Sequence, residues 1–375
     1  MRRIVVLAAT AALSAGLLSG ASAGETAPPR HPAVFETVFA SPLGLEGLTT
    51  DGRGNLYTPA RGADPCPVYR VAATGGPAAV VGTIPGPCNP AGLVFDRRGR
   101  LYVANADTVV SFVPDAANPP SATVFTSGVP GANGLAFDRS GALWVSDGVT
   151  GQGRVWRAGA DGVALAQFRV QPLVSEVIPG GLGRDVRGLP PGTVTITPNG
   201  RTAADTAGSQ HIVANGLAFT ADGTLLVADT ARGALWHVPM DRAGRPRATT
   251  GCDVAFPPDT LCLDNLEVQH PYLEGADGIV LDRAGGVWTA VNERNAIVVA
   301  RRDGRVVEYF RNPADATSKL RNGGPLEFPT SPVLLPDGRL CVTQSDGNRR
   351  DNAPNTAGEA APAGAVRAKV SCVEP

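Results

Sequence analysis

The chain has 375 residues, a formal net charge of −1 and 43% hydrophobic residues. Without a basic block, that balance leaves no electrostatic footprint for nucleic acid or an anionic membrane surface. Gly 46 and Pro 33 are high counts, as expected of a chain with many tight turns.

The N-terminus carries Arg2 and Arg3, an apolar or small run over 4–18, and Ala21-Ser22-Ala23. This order predicts a secretory signal peptide over residues 1–23. The apolar run is shorter than the ~20 residues of a spanning helix, and no later segment is apolar enough to span. Residues 24–375 are then expected to form one extracytoplasmic domain, monomeric and free of the membrane after cleavage. Six cysteines (Cys66, Cys88, Cys252, Cys262, Cys341, Cys372) suit disulfides in an exported chain.

One pattern recurs along this domain, x-G-L-x-x-D-x-x-G-x-L-x-V. Its copies begin at Glu46 (EGLTTDGRGNLYT), Ala91 (AGLVFDRRGRLYV), Asn133 (NGLAFDRSGALWV), Asn215 (NGLAFTADGTLLV), Asp277 (DGIVLDRAGGVWT) and Ser331 (SPVLLPDGRLCVT). Each reads as strand, Asp/Gly turn, strand. A third strand follows at 67–71, 154–157 and 234–238. The period and the absence of helical patterning predict an all-β, six-bladed β-propeller. The long Gly/Pro/Thr-rich interval 170–212 contains no further copy and reads as an insertion on blade three; a seventh blade is the alternative. After the last hairpin, 364–372 supplies a third strand and 34–39 could supply the fourth, closing the ring. Six cysteines allow 15 pairings. The blade assignment favours Cys66–Cys88, Cys252–Cys262 and Cys341–Cys372.

The repeat also sorts the polar residues. Asp51, Asp96, Asp138, Asp222, Asp282 and Asp337 fall in the hairpin turns, where carboxylates cap backbone N–H groups. The copy-starting position lies at the opposite mouth of the central channel and is polar in five of the six copies. Two carboxylates and two carboxamides, Glu46, Asp277, Asn133 and Asn215, suit a hard cation, above all Ca2+. A ring of solvated polar groups is the alternative. A second ring at the end of the second strands, Asn105, Asp147, Asp229 and Asn292, reads as rim or turn residues. His211 precedes Asn215 by four positions and either approaches the mouth or sits at the surface. No G-x-S-x-G, H-E-x-x-H or dinucleotide motif is present.

The pattern resembles the gluconolactonase, regucalcin and senescence-marker-protein family of six-bladed propellers and, more distantly, the paraoxonases. The most specific stretch runs from Asn215-Gly-Leu-Ala-Phe through Val227-Ala-Asp-Thr230 to Gly233-Ala-Leu-Trp236. The resemblance implies a divalent cation, usually Ca2+, with Glu46, Asn215 and Asp277 as ligands and Asn133 beside them. It also implies a metal-dependent hydrolase of a small lactone or ester, possibly sugar-derived, with Asp277 as general base. Asn133, Asp229, Asn292 and His211 are the residues expected near substrate. Two positions depart from the family pattern. Gly131 stands where an arginine for a sugar acid is common, and no acidic residue is evident near Gly151-Gln152. A propeller that binds a ligand without catalysis, with a structural cation in the channel, is the competing reading.

Overall fold

The computed structural model describes residues 33–150, 152–171, 176–177, 194–195, 213–313, 324–345 and 368–375. The signal-peptide segment, Gly151 and His211 lie outside them.

Six sheets form six blades. Blade one holds Gly44–Leu45 and Thr49–Thr50, both paired with Asn55–Arg61, then Cys66–Ala72 and Ala79–Ile84. Blade two runs from Pro90–Phe95 through Leu101–Asn105 and Thr108–Phe112 to Thr123–Ser127. Blade three comprises Leu135–Phe137, Leu143–Ser146, Arg154–Ala158 and Ala164–Arg169. Blade four comprises Ala214–Phe219, Leu225–Asp229, Ala234–Val238 and Leu266–Gln269. Blade five comprises Ala276–Leu281, Val287–Val291, Ala296–Ala300 and Val306–Arg311. Blade six joins Pro329–Leu334, Leu340–Gln344 and Ala368–Val373 to the first strand of the chain, Glu36–Ser41. That last pairing is antiparallel, with Glu36 opposite Cys372. The two chain ends therefore share one blade, as the sequence suggests, and Glu36–Ser41 covers the outer edge of the Ala368–Val373 strand.

The core consists of six apolar layers among the described residues, one between each pair of neighbouring blades. Trp144 and Trp236 are fully buried between blades three and four, with Leu217 and Leu225. The layer between blades six and one is built from Leu45, Leu56, Val333, Cys341 and Val370. Each second strand is packed on both faces, which explains its unbroken apolar character: Leu225–Asp229 and Val287–Val291 are buried at every position.

The repeated glycine has a steric origin. A Cβ on Gly47, Gly92, Gly134, Gly216 or Gly278 would lie 2.2, 2.4, 2.1, 2.5 or 2.6 Å from a carbonyl oxygen of the next blade's inner strand. Only a residue without a side chain lets the inner strands approach this closely. The carbonyls met are those of Ala91, Asn133, Asn215, Asp277 and Thr330.

The last contact corrects the sixth copy. Its channel-mouth residue is Thr330, not Ser331. Ladder register agrees, since Pro329 pairs with Gln344 as Ala276 pairs with Val291. The spacing from copy start to turn glycine also agrees, because Thr330 precedes Gly338 by the eight positions that separate Glu46 from Gly54. The same count moves two turn positions. Asp51, Asp96, Asp138 and Asp282 cap their turns, accepting from Arg53, Arg98, Ala142 and Gly286 N at 2.8, 2.8, 3.0 and 2.7 Å. In blade four Thr220 does this through Oγ1, and in blade six Leu335 stands there. Asp222 and Asp337 sit two residues later.

All three expected disulfides are present. Cys341–Cys372 joins directly paired residues of neighbouring strands in blade six. Cys252–Cys262 lies within blade four, in the connection between its third and fourth strands, rather than after the blade. The interval 170–212 follows a complete four-stranded blade three. Its described part includes a two-stranded pairing of Glu176–Val177 with Val194–Thr195.

Candidate metal centre at the channel mouth

The inner strands carry a local irregularity where the candidate ligands sit. In blade four Ala214 pairs with Asp229 and Leu217 with Val227, so Asn215 and Gly216 together face Ala228. Blade five repeats this with Asp277 and Gly278 facing Ala290. Blades two and six do so at Ala91-Gly92 and Thr330-Ser331. A β-bulge of this kind bends the strand and re-aims one side chain. In blades four and five it takes Asn215 and Asp277 out of the strict alternation of the strand.

Glu46, Asn215 and Asp277, scattered through the sequence, come together, since the Glu46 carboxylate and the Asn215 amide both act on Asp277; Asn133 lies on the neighbouring blade, where a Cβ on Gly134 would sit 2.1 Å from Asn215 O. Asn133, Asn215 and Asp277 are 7%, 2% and 4% exposed. The preceding blade fixes each backbone. Thr330 Oγ1 and Thr343 Oγ1 donate to Glu46 O at 2.6 and 2.9 Å. Gly92 N donates to Asn133 O at 3.1 Å, and Ser146 Oγ to Asn215 O at 2.6 Å.

The side chains interact with one another. Asn292 Nδ2 donates to Asp277 Oδ2 at 2.8 Å. Asn215 Nδ2 donates to Thr230 Oγ1 at 3.0 Å, and Thr230 Oγ1 donates on to Ala276 O at 2.5 Å. Glu46 Oε2 accepts from Ser345 Oγ at 2.9 Å and lies 3.3 Å from Arg61 Nη1. Burial pushes the Asp277 carboxyl well above its ordinary value and the Glu46 carboxylate adds to the rise; the amides of Asn292 and Asn215 and the charge of Arg61 pull the other way. Two carboxylates close enough to repel across a dry mouth are an electrostatic complement for a cation.

The residue that meets each ligand stands fifteen positions after it: Arg61 beside Glu46, Gly148 beside Asn133, Thr230 beside Asn215 and Asn292 beside Asp277. A Cβ at Gly148 would lie 2.4 Å from Asn133 Nδ2. Of the second ring read from the sequence, Asn292 occupies this position. Asn105, Asp147 and Asp229 sit one residue earlier and serve neighbouring structure. Asn105 Oδ1 accepts from Asn89 N at 2.8 Å. Asp229 is fully buried and accepts from Trp236 Nε1 and Arg232 N, both at 3.0 Å. Asp147 lies 2.7 Å from Arg154 Nε, yet complete burial outweighs that partner and pushes its carboxyl up to about 6. Gly131 has φ +64°, a left-handed conformation that disfavours the arginine common there in the family pattern. The fifteen-residue interval is the sequence signal for Arg61 and Thr230; Ser345 meets Glu46 only through ring closure.

The donor set fits a hard divalent ion. It offers two carboxylates and two carboxamide oxygens, all oxygen chemistry. Among the described residues no three His, Cys, Asp or Glu side chains gather as a metal-binding group.

Residues 66–326 match the family described as SMP-30/Gluconolactonase/LRE-like region. The chain belongs to this family. The matched stretch includes Asn133, Asn215 and Asp277 and stops short of Glu46, whose place beside them comes from ring closure. Comparison with curated proteins gives no match. Among solved structures, the PQQ-bound aldose sugar dehydrogenase of Streptomyces coelicolor superposes with a TM-score of 0.57 at 17% identity, over 93% of this chain and 99% of that one. The calcium-binding protein regucalcin of Agrobacterium tumefaciens gives 0.54 at 20%, over 92% and 95%. A luciferin-regenerating enzyme gives 0.54 at 14%, over 92% and 96%. At these identities the likeness establishes the propeller fold.

Proposed function

We propose that this lactonase-like propeller is an exported, Ca2+-dependent hydrolase of a small lactone or ester, possibly sugar-derived. The carrying observation is the buried Asp277 carboxyl, on which the Glu46 carboxylate and the Asn215 and Asn292 amides all act, with Asn133 on the neighbouring blade next to Asn215. Family membership supports lactone chemistry, and the regucalcin fold neighbour is a calcium-binding protein. Three disulfides and the signal-like leader support an oxidising compartment.

Glu46, Asn215 and Asp277 would hold the ion, with Asn133 beside them. When bound, a divalent ion polarises a carbonyl oxygen and stabilises the charge that develops there. The chain supplies the rest. Asn292 orients Asp277 through Oδ2, the Asn215 amide also supports that carboxylate, and Asp277 would take a proton from the attacking water. Asn133 and Asn292 line the approach and offer amides to substrate oxygens.

The test is calorimetric Ca2+ titration of the purified protein, followed by a panel of lactones and esters assayed with Ca2+ and with a chelator. Ca2+ binding with chelator-sensitive hydrolysis is expected. Ca2+ binding with no turnover across the panel would favour the non-catalytic binding propeller, and no Ca2+ binding would remove the metal centre itself.

A further inference from the structure

Glu46 is the one proposed ligand whose fifteen-residue partner is charged. Asn215 meets the Thr230 hydroxyl and Asp277 meets the Asn292 amide, both neutral. Glu46 instead meets the Arg61 guanidinium at 3.3 Å. Arg61 is not a wandering surface charge. Its Nε donates to Pro90 O of blade two at 2.6 Å, and its side chain is 25% exposed. From that anchor its charge also acts on Asp277.

We infer that Arg61 is the resident counter-cation of this centre and sets its affinity for a divalent ion by competing for Glu46. The inference rests on the metal centre proposed above. Without metal, Arg61 balances one of two facing carboxylates and lets both stay in a dry mouth, where an unpaired charge is costly. A monovalent ion brings the same single charge as the guanidinium, which is already in place and hydrogen-bonded at its base. A divalent ion brings two and can satisfy both carboxylates. Arg61 therefore weakens every cation, and a monovalent ion, which cannot satisfy both carboxylates, offers no charge that the guanidinium does not already supply. It acts through Glu46, as a positioning residue.

Removing the charge should tighten Ca2+ binding while loosening the metal-free fold. Arg61→Gln is expected to bind Ca2+ about tenfold more tightly than wild type by calorimetry. It should also melt lower in chelator, show a larger Ca2+-induced rise in Tm, and lose more Ca2+ affinity than wild type when Na+ is raised at constant ionic strength. Arg61→Lys keeps the charge without the planar fork and should hold Ca2+ affinity near wild type. A purely structural role, through the Pro90 anchor, would instead weaken Ca2+ binding in both variants. Equal or weaker affinity in Arg61→Gln, with wild type binding Ca2+, overturns the role of Arg61 and leaves the metal centre standing. Absence of Ca2+ binding in wild type and variant alike overturns the metal centre, and this inference with it.

Discussion

At the scale of single residues, two aspartates of blade five carry opposite expectations. Asp277 faces the channel and is held by Asn292. Asp282 lies in the hairpin turn at the other end, accepting from Gly286 N at 2.7 Å and Trp288 Nε1 at 3.0 Å. Asp277→Asn removes the central charge and should abolish Ca2+ binding and hydrolysis with little loss of fold. Asp282→Ala should leave Ca2+ affinity unchanged and lower stability by about 1–2 kcal/mol, the typical net worth of such bonds. Titration and denaturant unfolding of the pair check both. Asp147 yields a pH prediction. Its folded carboxyl titrates near 6, above the ordinary 3.8, so protonation favours the folded state. The penalty for its charge is absent below about pH 4, grows between 4 and 6, and is complete above. Asp147→Asn should therefore gain on wild type by up to about 3 kcal/mol as pH rises through that window. A stability difference that does not change with pH would contradict this.

At the scale of the strand, the inner-strand bulge decides what the sequence could and could not reveal. Repeat copies, their glycines and the polar copy-starting residues are legible because each obeys a local rule: a turn needs its glycine, a buried strand needs apolar residues, and close inner strands exclude a Cβ. The bulge breaks simple alternation at the mouth. Reading the ends of the second strands picks out Asn105, Asp147 and Asp229 alongside Asn292, whereas the chain delivers Arg61, Thr230 and Asn292 to the ligands. The same blindness placed the sixth copy one residue late, because Ser331-Pro332 mimics the start of a repeat while Thr330 occupies the site. Bulge and glycine act together, and this can be tested. A Cβ at Gly216 would sit 2.5 Å from Asp277 O and 2.8 Å from Ile279 N. Gly216→Ala must push blade four from blade five. It should cost at least about 2 kcal/mol and weaken Ca2+ binding although no ligand is changed. Wild-type affinity in that variant would show that the ligands tolerate a shift of the inner strands.

At the scale of the whole molecule, stability comes from a closed ring of inter-blade layers, sealed where the two chain ends meet. Glu36–Ser41 supplies the outer strand of blade six, and Val38 and Phe39 pack against the layer between blades six and one. A chain beginning at Pro42 would keep every proposed ligand. It should nonetheless melt at a lower temperature and, with the Ala368–Val373 strand newly exposed as an edge, aggregate more readily; thermal melts and light scattering would show both. Closure has a further consequence, for the order of events in the molecule's synthesis. Glu46 is among the first residues of the domain to be made, yet its carbonyl is gripped by Thr330 and Thr343 and its carboxylate by Ser345. Those hydroxyls belong to the last blade. A ribosome-bound chain that has not yet delivered residues 330–345 can hold Asn133, Asn215 and Asp277 and still leave the earliest ligand ungripped, so the finished mouth waits for the last blade's hairpin.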